Sequence, residues 1–200
     1  ENQKMIADMT RRFAREVLAP GAAAREEARA IEPEVLAGMA GLGLLGMTVA
    51  PEHDGAGADY VSYALALMAV AEGDGAISTV MSVHNAPFCA ILERYGSPAQ
   101  KADVLRPAAR GEFIGAFALT ESHAGSDASA IRTRARRVGD GYVIDGSKQF
   151  ITSGRLARYA VVFAVTDPER PKQGITAFLV ATDTPGFSVS KLEHKLGQKA

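Results

Sequence analysis

Two short stretches carry residue types from which a cofactor site could be built. Ala116-Phe117-Ala118-Leu119-Thr120-Glu121-Ser122-His123-Ala124-Gly125-Ser126-Asp127 leaves an apolar segment and enters a polar turn. With no Cβ at Gly125, backbone amides there can close on a phosphate, and Thr120 and Ser126 add hydroxyl donors. Such residues also make ordinary turns for local hydrogen-bonding reasons, so a plain Ser/Asp turn stays an open reading. The second stretch, Gly141 to Gly154, reads as a hairpin whose second strand ends in Phe150-Ile151-Thr152. A planar heteroaromatic group needs an apolar surface on one face and a hydroxyl donor at its edge, which Phe150 and Thr152 could supply. Taken alone, this is also just a strand.

Other motifs read more plainly. Gly41-Leu42-Gly43-Leu44-Leu45-Gly46 spells a dinucleotide fingerprint, but that motif needs a strand before it and a helix after it; here a predicted helix precedes and Met47-Thr48-Val49-Ala50-Pro51 follows. A helix stop with apolar packing is the reading adopted. Arg132, Arg134 and Arg136 alternate with Thr133 and Ala135, which places them on one solvated strand face. His53, His84, His123 and His194 are scattered along the chain without helical pairing or neighbouring cysteines, which argues against a metal site. Glu72 and Glu121 are read as solvated acids, at a helix end and in a turn, and not as general bases.

The elements that must position these residues fall into two groups. Met5, Ile6, Met9, Phe13 and Val17 mark one face of a helix that Pro20 and Gly21 are expected to end. Further helices are predicted over 33–40, from an Asp59 cap to Glu72, over 77–84 and 87–95, and from a Ser97 cap to Pro107. Beyond Gly111, short β-branched or aromatic runs are predicted as strands: 113–119, 131–138, 142–144, 149–152, 159–165 and 175–180. Asp140-Gly141 and Asp145-Gly146 are hairpin-turn signals. The expectation is an α+β chain: an all-helical domain over 1–112, then an antiparallel β-barrel or sandwich domain over 113–200, incomplete at its C-terminal end.

Composition narrows the function classes. The 200 residues are 47% hydrophobic and 22% charged, enough to build a core. Twenty-two basic residues against 23 acidic ones give a net charge of -1, which offers no bulk attraction to nucleic acid or to an anionic membrane. No apolar run near the length of a bilayer span is read, and the polar start Glu1-Asn2-Gln3-Lys4 is not read as a signal peptide. Cys89 is the single cysteine, which rules out an intrachain disulfide and fits a cytoplasmic location.

In their order and spacing, the two opening stretches resemble the signature segments of the acyl-CoA dehydrogenases. The resemblance extends to Leu44-Leu45-Gly46-Met47-Thr48-Val49-Ala50-Pro51-Glu52 with Gly55-Ala56-Gly57, to Ser82-Val83-His84-Asn85, and to the closing Lys195-Leu196-Gly197-Gln198-Lys199-Ala200. It implies FAD as cofactor. Phe117, Ala118, Leu119 and Thr120 would then form the wall of the flavin site, with the Leu119 amide and Thr120 hydroxyl at the pyrimidine edge. Gly125 and Ser126 would lie at the pyrophosphate, Ser126 also near the CoA arm of the substrate. Phe150, where the family usually has tryptophan, would pack against the flavin beside Ile151, and Thr152 would hydrogen-bond near N5. Ser122-His123 stands where Pro-Gly is more common. The implied reaction is α,β-dehydrogenation of a fatty or branched acyl-CoA to the trans-2-enoyl-CoA, with hydride transfer to FAD. Electron-transferring flavoprotein is the implied acceptor and a homotetramer the implied assembly. The base is expected in a C-terminal helical bundle that this chain does not reach, so no residue here is assigned as catalytic. An acyl-CoA oxidase or a flavin monooxygenase on the same fold is the alternative enzyme; a flavin-free binding module is the alternative from another class.

Overall fold

The computed structural model describes residues 1–170 and 173–199; Ala200, the last residue of the resemblance, lies outside them. The chain divides into two compact units, one of residues 1–114 with 191–200 and one of residues 115–190.

The first unit is helical. Helix α1 (Asn2–Phe13) continues through a π turn (Ala14–Leu18) into α2 (Ala19–Ala28). Then come α3 (Pro33–Gly41), α4 (Tyr60–Gly73), and α5 (Gly75–Val83), which runs through a second π segment (His84–Cys89) into α6 (Ala90–Tyr95). Helix α7 (Pro98–Gln100) passes through a third π segment (Lys101–Leu105) into α8 (Arg106–Ala109). The caps lie where the sequence suggests: the Asp59 carboxylate accepts from the Ser62 amide at 2.9 Å, and Ser97 with Gln100 forms a reciprocal capping box.

The expected breaks at prolines are not there. Pro20 and Pro107 each stand two residues past the end of a π segment and Pro87 sits inside one, and all three helices carry on. Proline lacks the N–H of the helical ladder. A π turn takes its bonds one residue further back, as the Ala19 amide does on the Ala14 carbonyl, and so absorbs the misfit. The two helices expected over 77–84 and 87–95 are therefore one, Gly75–Tyr95. Its 21 residues with mean hydropathy 1.3 are long and apolar enough to cross a membrane by length and composition, which the reading of short apolar runs overlooked. Here it is the core helix of the unit, half buried, and Ile77, Val80 and Met81 pack with Leu18, Met39, Leu44, Leu45 and Val70.

Two buried polar side chains of this unit, Asn85 and Arg25, are well matched. The Asn85 carboxamide accepts from the Met47 amide at 2.8 Å and donates to the Leu44 carbonyl at 2.8 Å and the Met81 carbonyl at 3.0 Å, fixing the turn after α3. Arg25 is buried against Asp74 at 2.8 Å, and Asp74 also caps α5. Residues 191–199, counted with the β-domain on sequence, pack here: the Thr79 hydroxyl donates to the Gln198 side-chain oxygen Oε1 at 2.9 Å and the Lys199 amide to Glu26 at 2.7 Å.

The second unit holds a five-stranded sheet: β1 (Gly115–Ala118), β2 (Arg134–Val138), β3 (Gly141–Asp145), β4 (Tyr159–Val165) and β5 (Ile175–Ala181). β5 lines one edge of β4 antiparallel along its length; β1 takes the other edge from Tyr159 to Val162 in parallel, and β2 touches it at Val165. β2 and β3 form an antiparallel hairpin closed at Val138 and Gly141. The α+β class holds. The sheet is mixed where an antiparallel barrel or sandwich was expected, because β1 and β4 point the same way and are joined by a long connection that contains the hairpin. Asp145-Gly146 ends β3 and does not turn a hairpin; a side chain at Gly146 would strike Thr133.

The literal fingerprint is resolved by packing. Gly41 ends α3 with open space around it, Gly43 takes φ +70°, and Gly46 lies against the Ala109 carbonyl. Gly46→Ala should therefore lower stability to urea by about 1–3 kcal/mol through overpacking, and Gly41→Ala should not lower it. Equal effects of the two substitutions would refute this account of the motif.

Candidate functional site

β1 presents its two faces differently. Ala116 and Ala118 are buried in a cluster with Ala157, Ala160 and Val162, while Phe117 turns to the other face and meets Phe163 edge-on with ring centroids 5.2 Å apart. After Ala118 the chain leaves the sheet. Glu121 and Ala124 exchange backbone hydrogen bonds at 2.9 and 3.1 Å, closing a tight turn with Ser122 and His123 at its exposed tip. Gly125 and Ser126 follow as exposed residues. Asp127 then accepts from the Ser129 amide at 3.1 Å and starts a short 3-10 turn (Ala128–Ala130). A Cβ built at Gly125 meets nothing within 4 Å, so the backbone of this loop is open to an approaching group.

Glu121 is the residue that sequence reasoning misjudged. It is only 5% exposed. Its carboxylate accepts from the Arg132 amide at 2.7 Å, the Thr133 amide at 3.0 Å and the Lys148 ammonium at 2.7 Å. Burial pushes this carboxyl up, but hydrogen bonds from Lys148, Thr133 and the Arg132 amide outweigh it and hold the group at about 2. A carboxylate so strongly stabilised is no general base. It ties the turn after β1 to the start of the hairpin. Lys148 also donates to the Leu119 carbonyl at 3.0 Å; burial lowers its ammonium, against the pull of Glu121. The sequence offered a lysine between Ser147 and Gln149, but nothing local paired it with Glu121, 27 residues away.

Residues 149–152 are not a strand. The Gln149 amide donates to the Thr120 carbonyl at 2.9 Å, which carries the chain across to the end of β1 in place of a ladder. Phe150 has φ +58° and Ser153 φ +60°, both left-handed, a conformation uncommon for residues with side chains. Ile151 turns in against the Ala116 and Ala118 cluster. Phe150 is left 63% exposed, an aromatic face offered outward. The structure thus brings Ala118, Leu119 and Thr120 together with Ile151 and the flanking Phe150 and Thr152. Gly125 and Ser126 are held on the adjoining loop by the Glu121–Ala124 turn and the Asp127 cap.

Rival sites are weaker. His84 and Cys89, five apart, do meet, with Sγ 3.7 Å from Nε2, which the sequence reading did not anticipate. Both are fully buried: burial lowers the imidazole to about 4 against the Ala108 carbonyl and pushes the thiol well up, so the pair is neutral and inert near pH 7. No group of three or more metal-ligating side chains occurs among the described residues. Arg132, Arg134 and Arg136 are exposed with Thr133 and Ala135 buried between them, the alternation expected. A shallow hollow of about 370 Å³ lies on that hairpin against Arg134, Arg136, Tyr142 and Pro168, and no residue of the loop after β1 lines it.

Fold and loops define an α+β chain in which a helical unit precedes a mixed sheet carrying the candidate loops. Residues 1–112 match the acyl-CoA dehydrogenase N-terminal domain and residues 116–200 the acyl-CoA dehydrogenase middle domain. The chain belongs to the acyl-CoA dehydrogenase family. It is 40% identical over 197 residues to an acyl-CoA dehydrogenase of Bacillus subtilis, covering 98% of this chain and 52% of that protein. It is 40% identical over 200 residues to the mitochondrial short-chain specific acyl-CoA dehydrogenase of Rattus norvegicus, covering 100% and 48%. A glutaryl-CoA dehydrogenase from Mycobacterium smegmatis, solved in complex with FADH2, superposes with a TM-score of 0.93 at 38% identity over 100% of this chain and 50% of that one. The chain spans about half the length of the curated relatives it matches.

The Glu121 geometry sets a pH signature. The unfolded chain takes up this proton near 4.5 and the folded one near 2, so the stabilisation is whole above pH 4.5 and is lost as pH falls toward 2. The melting temperature of Glu121→Gln should lie several degrees below wild type at pH 7, with the gap closing across that window. A gap that is constant down to pH 2 would count against the buried carboxylate.

Proposed function

We propose that this chain supplies the flavin-binding half of an acyl-CoA dehydrogenase that converts an acyl-CoA thioester to its trans-2-enoyl-CoA. The observation that carries the reading is the joining of Leu119 and Thr120 to the Phe150–Thr152 turn, with Phe150 held outward in a left-handed conformation. Such backbone costs on the order of 1–3 kcal/mol and persists where the surroundings over-determine it, often at ligand sites. Membership of the family and the likeness to a structure solved with FADH2 support FAD as the group bound.

The residues present fit a flavin nucleotide. Phe150 offers an apolar face, Thr120 and Thr152 offer hydroxyls at the ring edge, and the open backbone at Gly125 with the Ser126 hydroxyl suits a pyrophosphate. When bound, FAD would supply a hydride acceptor at its N5. Leu119 and Thr120 hold the pyrimidine edge, Phe150 keeps water from one face, and Ser126 adds a donor near the CoA arm. The base that takes the α-proton belongs, on this reading, to the part of the protein beyond this chain. Electron-transferring flavoprotein is the proposed acceptor, a homotetramer the proposed assembly and the cytoplasm the proposed location.

Two substitutions in the full-length protein test the reading. Gly125→Val has room in the fold, so circular dichroism should not change while FAD retention after gel filtration drops; retained FAD would remove the loop from the site. Thr152→Val should slow flavin reduction by acyl-CoA about tenfold, the effect of losing one useful hydrogen bond, and an unchanged rate in anaerobic stopped flow would remove Thr152. Reoxidation of the reduced enzyme should be fast with electron-transferring flavoprotein and slow with air; the reverse would make the protein an oxidase.

A further inference from the structure

Lys148 is half-buried, and its ammonium is shared between two acceptors, the Leu119 carbonyl at 3.0 Å and Glu121 Oε1 at 2.7 Å. Next to it, the Gln149 amide holds the Thr120 carbonyl at 2.9 Å. Two consecutive carbonyls of the strand exit are therefore gripped by two consecutive residues of the segment that leads into Phe150. The peptide unit joining Leu119 to Thr120 is planar and trans, so fixing its C=O toward Lys148 turns the Thr120 N–H to the opposite side. Lys148 in turn is held by Glu121, whose carboxylate also accepts from the Arg132 and Thr133 backbone amides and has the His123 imidazole 3.5 Å away.

We infer that Lys148 and Glu121 are positioning residues of the cofactor site: they set the orientation of the Leu119–Thr120 peptide and its spacing from the Phe150–Thr152 turn, and so fix where the flavin edge can sit. This rests on the flavin reading above. Neither side chain touches the reacting atoms; the pair acts through the backbone it orients. An ammonium donating to a carbonyl also polarises that peptide, strengthening its N–H as a donor.

The test uses the full-length protein, stripped of flavin and titrated with FAD, with far-UV circular dichroism as the check on folding. Lys148→Met should weaken FAD binding at least about tenfold, as expected for losing a charge-assisted hydrogen bond, and shift the visible flavin bands. Lys148→Arg, which can reach the same two acceptors, should recover most of both. If Lys148→Met fails to fold because it strands the Glu121 charge, Glu121→Gln combined with Lys148→Met removes both charges. That double variant should fold and still bind FAD weakly, because the Leu119 carbonyl remains unheld. Wild-type affinity and spectrum in a folded Lys148→Met or in the double variant would overturn the positioning role alone. A wild-type protein that holds no FAD would overturn the site reading itself and this inference with it.

Discussion

A carboxylate taken out of water must be answered by donors and charge, and in the β unit that requirement falls on Glu121. Three donors meet it: two successive amides at the start of the hairpin and the ammonium of Lys148. The amides and the ammonium come from two distant parts of the chain, so with its own turn this one side chain fixes three segments at once. The turn after β1, the entry to β2 and the exit from β3 meet at this point, and the loop bearing Gly125 and Ser126 is what remains outside. An apolar residue at position 121 could fill the space but could not hold two backbone amides, and the segment 131–133 would then lack its anchor.

The site was legible as residue types and only partly as conformation. Phe117 to Thr120, Gly125 with Ser126, and Phe150 to Thr152 all stand out in sequence by chemistry and order. The shape of the second stretch did not, because aromatic-aliphatic-hydroxyl is also how a strand reads, and local propensity carries no sign of the Gln149 to Thr120 bond that diverts the chain. Phe150 in a left-handed conformation is a tertiary outcome. Glu121 was misread for the same reason: an acid in a turn is usually solvated, and its partner lies far along the chain.

The helical unit shows the converse. Periodicity and capping residues located α3, α4 and the start of α7 within a residue or two, since those signals are local and physical. Prolines misled at Pro20, Pro87 and Pro107, where a break was the natural expectation. At each place a π segment lets the helix continue, and nothing in the local sequence distinguishes a helix that stops from one that widens. What decides is burial: Leu18, Phe88 and Leu105, next to these prolines, are all fully buried, and ending the helix there would expose them. The buried Asn85 shows the same logic in polar form, since its three bonds fix the turn after α3 only if the helix around Pro87 is intact.

The turn at Ser122-His123, where the family resemblance leads one to expect Pro-Gly, shows which parts of the site tolerate change. Both backbone bonds between Glu121 and Ala124 form without help from the side chains at the tip, and those two residues are exposed. His123 makes a contact of its own, its Nε2 lying 3.2 Å from the Ala130 carbonyl, which ties the tip back to the 3-10 turn. A tip closed by backbone bonds and steadied by a histidine does not need proline to restrict it. The constraint on this loop sits one residue earlier, at Glu121, and one residue later, at buried Ala124, from which Gly125 and Ser126 project. Identity at the tip can therefore vary while Gly125 and Ser126 keep their place.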